Sequence, residues 1–203
     1  MPFPPSDLKV SRSRLRRELR ARRAAMTAGA ATAAARACAE HLSSSELFRN
    51  SGHVAGYASI DRELDPTPLL GLALAAGKSV YLPRVITPTE MEFVAWKTGD
   101  PLASNRFGIP EPVSRNAVVR APESLDLVLV PLLGFDTHGN RLGFGGGFYD
   151  RAFAFRHSRG VPPLLCGYAY DDQRCAELQT AEWDVALDAI VTQSGLRFFS
   201  RQR

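Results

Sequence analysis

"LDLVLVPLLGFDTHGNRLGFGGGFYDR" (125–151) runs from an apolar segment through a polar turn and a glycine-dense loop to an aromatic-rich stretch. Residues 125–133 read as a central strand, "DTHGN" as the turn, and the segment from about Tyr149 as the start of a helix. Strand, glycine-rich loop and helix N-terminus in succession present backbone N–H groups and a positive dipole end to an anion. Gly143, Gly145, Gly146 and Gly147 lack the Cβ that would keep a ligand from the backbone. Arg141 precedes them, where a planar guanidinium suits two phosphate oxygens, and Asp150 follows, where a carboxylate suits magnesium. Neither standard phosphate motif accounts for the loop: no Lys follows the glycines, and the GxGxxG spacing fails at Phe148. A structural glycine cluster is the competing reading, with Asp150 as a dipole partner and Phe148 and Phe153 as core.

Outward from this loop, the pattern alternates. A helix is expected over about 7–26, with Leu15, Leu19 and Met26 on one face. Thr27 caps a second, alanine-rich helix to about Leu42. Strands are expected at 53–59, 79–85, 90–97, 163–170 and, last, 187–192, with a helix at 65–78 and a proline-rich loop at 98–122. That order predicts one α/β domain over 1–203, a three-layer α/β/α stack with a largely parallel or mixed central sheet, Rossmann-like in kind. The chain has 203 residues, enough for one well-filled core.

Charge is concentrated at one end. Residues 9–23, "KVSRSRLRRELRARR", hold eight Lys or Arg and one acid within a chain of net charge +4. A solvated helix face, a nucleic-acid or targeting segment and an anion-binding helix all fit that run. The apolar stripe favours packing on the body, with Arg14, Arg17, Arg20 and Arg22 outward. Cys38, Cys166 and Cys175 form no CxxC pair, and the histidines show no zinc spacing, so a cytoplasmic protein without a disulfide framework is expected. No apolar run approaches membrane-spanning length.

The segment 130–151 resembles the signature of the 5-formyltetrahydrofolate cyclo-ligase family, a strand followed by F-D-x-x-G-x-R-L-G-x-G-x-G-x-Y-D. The likeness extends to "RSRLRRELRARRAAM", with Arg12 where the family often has lysine and Arg16 in its Leu-Arg pair. It continues through "YASIDRELDPTPLL" and "RFGIPEP" to "EWDVALDAIVT", where Trp183 stands in place of a common histidine. The resemblance implies ATP- and magnesium-dependent conversion of 5-formyltetrahydrofolate to 5,10-methenyltetrahydrofolate. It assigns ATP to Arg12, Arg16, Arg141, Leu142, Gly143, Phe144, Gly145, Gly146, Gly147, Phe148 and Tyr149. It gives the folate to Ala58, Glu63, Phe107, Phe148 and Tyr149, catalysis to Arg141 and Asp150, and the metal to Asp150 and Asp188. Small-molecule partners, a monomer, and neither nucleic acid nor membrane are implied. A phosphosugar-binding α/β enzyme is the alternative use of the same cradle.

Overall fold

The computed structural model describes residues 5–114 and 117–200. Two helices open the chain, α1 (Pro5–Ala24) and α2 (Ala28–Ser43), the second capped by Thr27, whose hydroxyl accepts from Ala30 N. A short α3 (Glu46–Arg49), capped by Ser45, leads into β1 (His53–Ala55). Then come α4 (Thr67–Ala75), β2 (Ser79–Val85), β3 (Met91–Ala95), β4 (Leu102–Ser104), β5 (Pro110–Pro112) and β6 (Val119–Arg120). The central strand β7 (Leu127–Val130) is followed by the small ribbon β8 (Gly134–Phe135) and β9 (Arg141–Leu142). After the glycine loop stand α5 (Phe148–Ala152) and α6 (Arg156–Arg159), then β10 (Leu164–Tyr168), β11 (Ala189–Thr192) and β12 (Gly195–Phe198).

The main sheet has the order β12-β11-β10-β7-β1-β2-β3-β6. From β11 through β2 every pairing is parallel, while β12, β3 and β6 join antiparallel at the edges. The sheet is therefore mixed, with a parallel centre. Alternation along each strand splits the core into two layers. Leu127 and Leu129 face Val54, Val80 and the helices α2 and α4. Val128 and Val130 face Ala55, Tyr81 and the aromatic residues Phe153 and Phe155. This is the expected three-layer stack.

β1 and β7 are neighbours (Val54↔Leu127, Ala55↔Val128), yet the chain leaves β1 toward β2 on one side and β7 toward β10 on the other. A crevice outside the carboxyl ends of the strands forms at such a reversal, because the two connecting loops diverge. Here those loops are 56–66, which carries Glu63, and 131–147, which carries the glycines.

The differences from the sequence reading are local. β1 ends at Ala55 and is followed by Gly56, which still donates to Tyr81 O at 2.9 Å and has no room for a Cβ against Leu70. The proline-rich stretch contains the β4–β5 hairpin, in which Pro110 and Pro112 lie on a two-stranded ribbon with few N–H positions to satisfy. And 187–192 is not the last strand, since β12 adds antiparallel after a tight turn at Gln193 and Ser194.

α1 belongs to the body. Leu19 is fully buried with Leu133, Leu142 and Leu178, and Leu15 packs against the same group. Leu19→Ala is expected to cost about 2–5 kcal/mol, since a deleted buried isobutyl group leaves a cavity. Urea unfolding checks this; an unchanged midpoint would mean that α1 is a detachable arm.

Candidate active site

The glycine loop is aimed by the turn before it. Asp136 is 1% exposed, and its Oδ1 accepts from His138 N (2.9 Å) and Asn140 N (3.0 Å). Its Oδ2 accepts from Asn140 Nδ2 (2.9 Å) and Leu178 N (3.1 Å), so four donors fix the β8–β9 turn. The chain then enters the loop with Gly145 at φ +107° and Gly147 at φ +66°, conformations that side chains resist. Gly145 and Gly146 are exposed, and Gly147 caps α5.

Cations converge on this loop from α1 and β9. Arg141 is buried, and its Nη1 (3.1 Å) and Nη2 (2.7 Å) both donate to Asp150 Oδ1. Val185 N donates to the same oxygen at 3.1 Å. Arg16 Nε donates to Gly143 O at 2.9 Å, and its guanidinium lies 3.6 Å from where a Cβ of Gly145 would stand. Arg12 pairs with Asp184 at 2.7 Å, while its buried Nε has no partner among the described residues. Burial lowers the Arg141 and Arg16 pKa values; Asp150 and Asp184 oppose this at Arg141, and neighbouring Arg12 adds to the lowering at both. Three guanidinium groups thus meet two carboxylates, a surplus of positive charge beside open backbone amides.

The other wall of the crevice is the loop after β1. Asp61 (φ +46°) and Arg62 (φ +60°) hold left-handed conformations, an uncommon state for residues with side chains. The resulting turn buries Glu63, whose Oε2 accepts from Ile60 N at 2.9 Å and whose Oε1 lies 3.8 Å from Arg23. Burial pushes its pKa up to about 7, against the pull of the Ile60 N–H and Arg23. Tyr57, buried, donates to Leu64 O at 2.6 Å and steadies the same loop; Ala58 beside it is half-buried.

Tyr149 joins the two walls. Its hydroxyl is buried without a hydrogen-bond partner among the described residues. Burial, then the charge of Glu63, raise its pKa, and Arg141 opposes them. Phe107, at the tip of the β4–β5 hairpin, meets Phe148 edge-on at 5.9 Å, and Phe144 lies under Arg23 at 5.1 Å. Leu142 is buried beneath the loop with Leu19.

Asp188 serves elsewhere. It lies at the amino-terminal start of β11, where Arg156 Nη2 donates to both of its oxygens (2.8 and 2.7 Å) and Leu165 N to Oδ2 (2.8 Å). The glycine loop, by contrast, leaves the carboxyl-terminal end of β7. Among the described residues no group of three or more His, Cys, Asp or Glu is placed to hold a metal. The expected Asp150–Asp188 ligand pair thus reduces to Asp150 as the carboxylate at the loop.

This geometry accompanies a family match. Residues 8–193 fit the family model described as 5-formyltetrahydrofolate cyclo-ligase family. The chain belongs to that family. Among 5-formyltetrahydrofolate cyclo-ligases, the Escherichia coli protein is 41% identical over 145 residues, 70% of this chain and 78% of its own. The Haemophilus influenzae cyclo-ligase is 34% identical over 178 residues, 87% of this chain and 94% of its own. The solution structure of Aquifex aeolicus 5,10-methenyltetrahydrofolate synthetase superposes with a TM-score of 0.78 at 32% identity, covering 95% of this chain and 94% of that one.

Four residues of this candidate site lay outside the sequence reading: Arg23, Tyr57, Arg151 and Asp184. Arg23 had a signal, since Arg12, Arg16, Leu19 and Arg23 fall at i, i+4, i+7 and i+11 on one helix face. Arg151, whose Nη2 donates to Gly146 O at 2.7 Å, followed the motif directly. Tyr57 and Asp184 became visible only through the packing.

Proposed function

We propose that this chain closes 5-formyltetrahydrofolate to 5,10-methenyltetrahydrofolate with ATP and magnesium, releasing ADP and phosphate. The observation that carries the reading is the meeting, at one crevice, of a cation-flanked glycine loop and the buried Glu63 wall, in a chain of this family. The formyl oxygen is a poor leaving group until it attacks the γ-phosphorus and displaces ADP. The folate N10 then adds to the formyl carbon, and the C–O bond breaks to release phosphate as the N10 proton is lost.

Such a reaction needs positioning and charge neutralisation more than a protein nucleophile. Arg141 is held by Asp150 with its plane fixed, so it meets phosphate oxygens without reorganising. Arg12 and Arg16 bring further positive charge from α1, and the amides of the exposed glycines complete the cradle. Glu63 accepts the pterin N–H groups, and Tyr149, Phe148 and Phe107 line the folate side, where flat rings suit a flat ring. These residues all come from one chain, so the reading requires no second copy. The three free thiols accord with a reducing cytoplasm.

The donor set at Asp150 suits magnesium. Its three hydrogen bonds among the described residues all end on Oδ1, which leaves Oδ2 for a ligand. Mg2+ is usually held by one or two carboxylates together with substrate phosphates and water, so the lack of a larger acidic cluster is consistent with it. Bound there, the ion would neutralise triphosphate charge.

Purified protein mixed with 5-formyltetrahydrofolate, ATP and magnesium should develop the absorbance of the methenyl product. An absent signal, or one independent of ATP, would sink the assignment.

A further inference from the structure

Beside the loop lies a groove of about 420 Å³ whose walls include Gly145, Gly146, Gly147, Asp150, His157 and Trp183. Trp183 is 67% exposed, an unusual setting for so large an apolar ring. Its backbone is nevertheless pinned on both sides by groups of the phosphate site. Asp184 Oδ2 accepts from Ala181 N (2.9 Å) and from Arg12 Nη2 (2.7 Å), closing the turn that contains Trp183. The next residue, Val185, donates its N–H to Asp150 Oδ1 at 3.1 Å. A rigid turn tied to the anion cradle therefore presents an indole to the groove that the cradle opens into.

We infer that Trp183 is the platform on which the nucleobase of the triphosphate stacks. The inference rests on the proposed use of ATP and names how this chain holds the other end of that molecule. A triphosphate on the amides of Gly145–Gly147 leaves ribose and base in the same groove, and Trp183 offers the large open aromatic face there. His157 stands in the wall as a polar neighbour for the base edge. Stacking is largely blind to the base edge, because every base has a π-face. The larger ring area of a purine gains more from it than that of a pyrimidine. The site should therefore prefer ATP and GTP to CTP, with little separation between the two purines from this contact.

The test is equilibrium titration of the full chain with magnesium-ATP and, separately, magnesium-tripolyphosphate, which has the phosphates and no base. Trp183→Ala should weaken ATP about tenfold, the usual order for removing one base–aromatic stack, and leave tripolyphosphate within twofold. Trp183→Phe, which keeps a ring and guards against a folding defect, should stay within about threefold of wild type for ATP. Unchanged ATP binding in Trp183→Ala overturns the inference, as does an equal loss for both ligands, which would place the effect on the loop. If wild type makes no methenyl product but the ATP-specific loss appears, the folate reading fails and the platform stands. If wild type binds neither ligand, both fall.

Discussion

Asp150→Asn should lower turnover by about two to three orders of magnitude while leaving the protein folded. On the proposed reading, the substitution separates two duties that fall on different oxygens. Oδ1 accepts two bonds from Arg141 and one from Val185 N, and an asparagine oxygen, with two lone pairs, keeps the shorter Arg141 bond and the Val185 bond. Oδ2 has no hydrogen-bond partner among the described residues, and the amide nitrogen that replaces it repels a cation rather than binding one. The loss should therefore fall on magnesium and triphosphate. Loss of a transition-state charge stabiliser in phosphoryl transfer sets the expected scale. Thermal unfolding should shift down modestly, because a side chain about one-fifth exposed loses its charge beside Arg141. The measurement is turnover across a magnesium series, paired with equilibrium binding of ATP with and without the metal. Wild-type magnesium dependence in the variant would remove Asp150 from the metal site and return it to a purely structural bond with Arg141.

The sequence made the centre of this fold legible and blurred its margins, for physical reasons. β7 could be read because strands buried on both faces are apolar at nearly every position, and 127–130 is Leu-Val-Leu-Val. The Thr27 cap could be read because a hydroxyl just before an alanine-rich run has one obvious acceptor role. β12 was missed because it is an edge strand with exposed Arg197 and Phe198, and such strands need not alternate cleanly. β6, with two residues, falls below any pattern.

At the site, the glycine loop, Arg141 and Asp150 were close in sequence and therefore readable together. The partnership of Arg12 with Asp184 spans 172 positions, and no local spacing announces it. Asp188 shows the opposite case: its family setting suggested a metal ligand, and three-dimensional packing sets it against Arg156. That pair is held by two hydrogen bonds from one guanidinium nitrogen and one from Leu165 N, so its charge is well compensated where it is buried.

Glu63 carries the second large effect, and its direction depends on pH. Glu63→Gln should raise the folate KM by about ten- to a hundredfold at pH 8, the loss expected when a buried charged hydrogen-bond acceptor becomes neutral. ATP binding should change little, because the proposed phosphate contacts lie with Arg141, Arg12, Arg16 and the glycines. The pKa of about 7 arises because burial penalises the charge more than Ile60 N–H and Arg23 offset it. Only the carboxylate can accept pterin N–H bonds with both oxygens. In wild type, kcat/KM for the folate should therefore fall as pH drops through about 7, a limb of the free enzyme. Bound pterin stabilises the carboxylate, so the kcat limb should lie lower. In Glu63→Gln the limb in kcat/KM should vanish. Stability runs the other way: native Glu63 keeps its proton to higher pH than the unfolded chain, so stability declines as pH rises from the ordinary carboxylate range through about 7. The full effect is on the order of 3 kcal/mol, and urea midpoints should show it flattened in the variant. On the proposed role of Glu63, the two opposed slopes come from a single ionisation, in which stability near neutrality is given up for a charged acceptor facing the substrate. A kcat/KM profile whose acid limb survives in Glu63→Gln would assign that limb to another group and take the pterin contact away from Glu63.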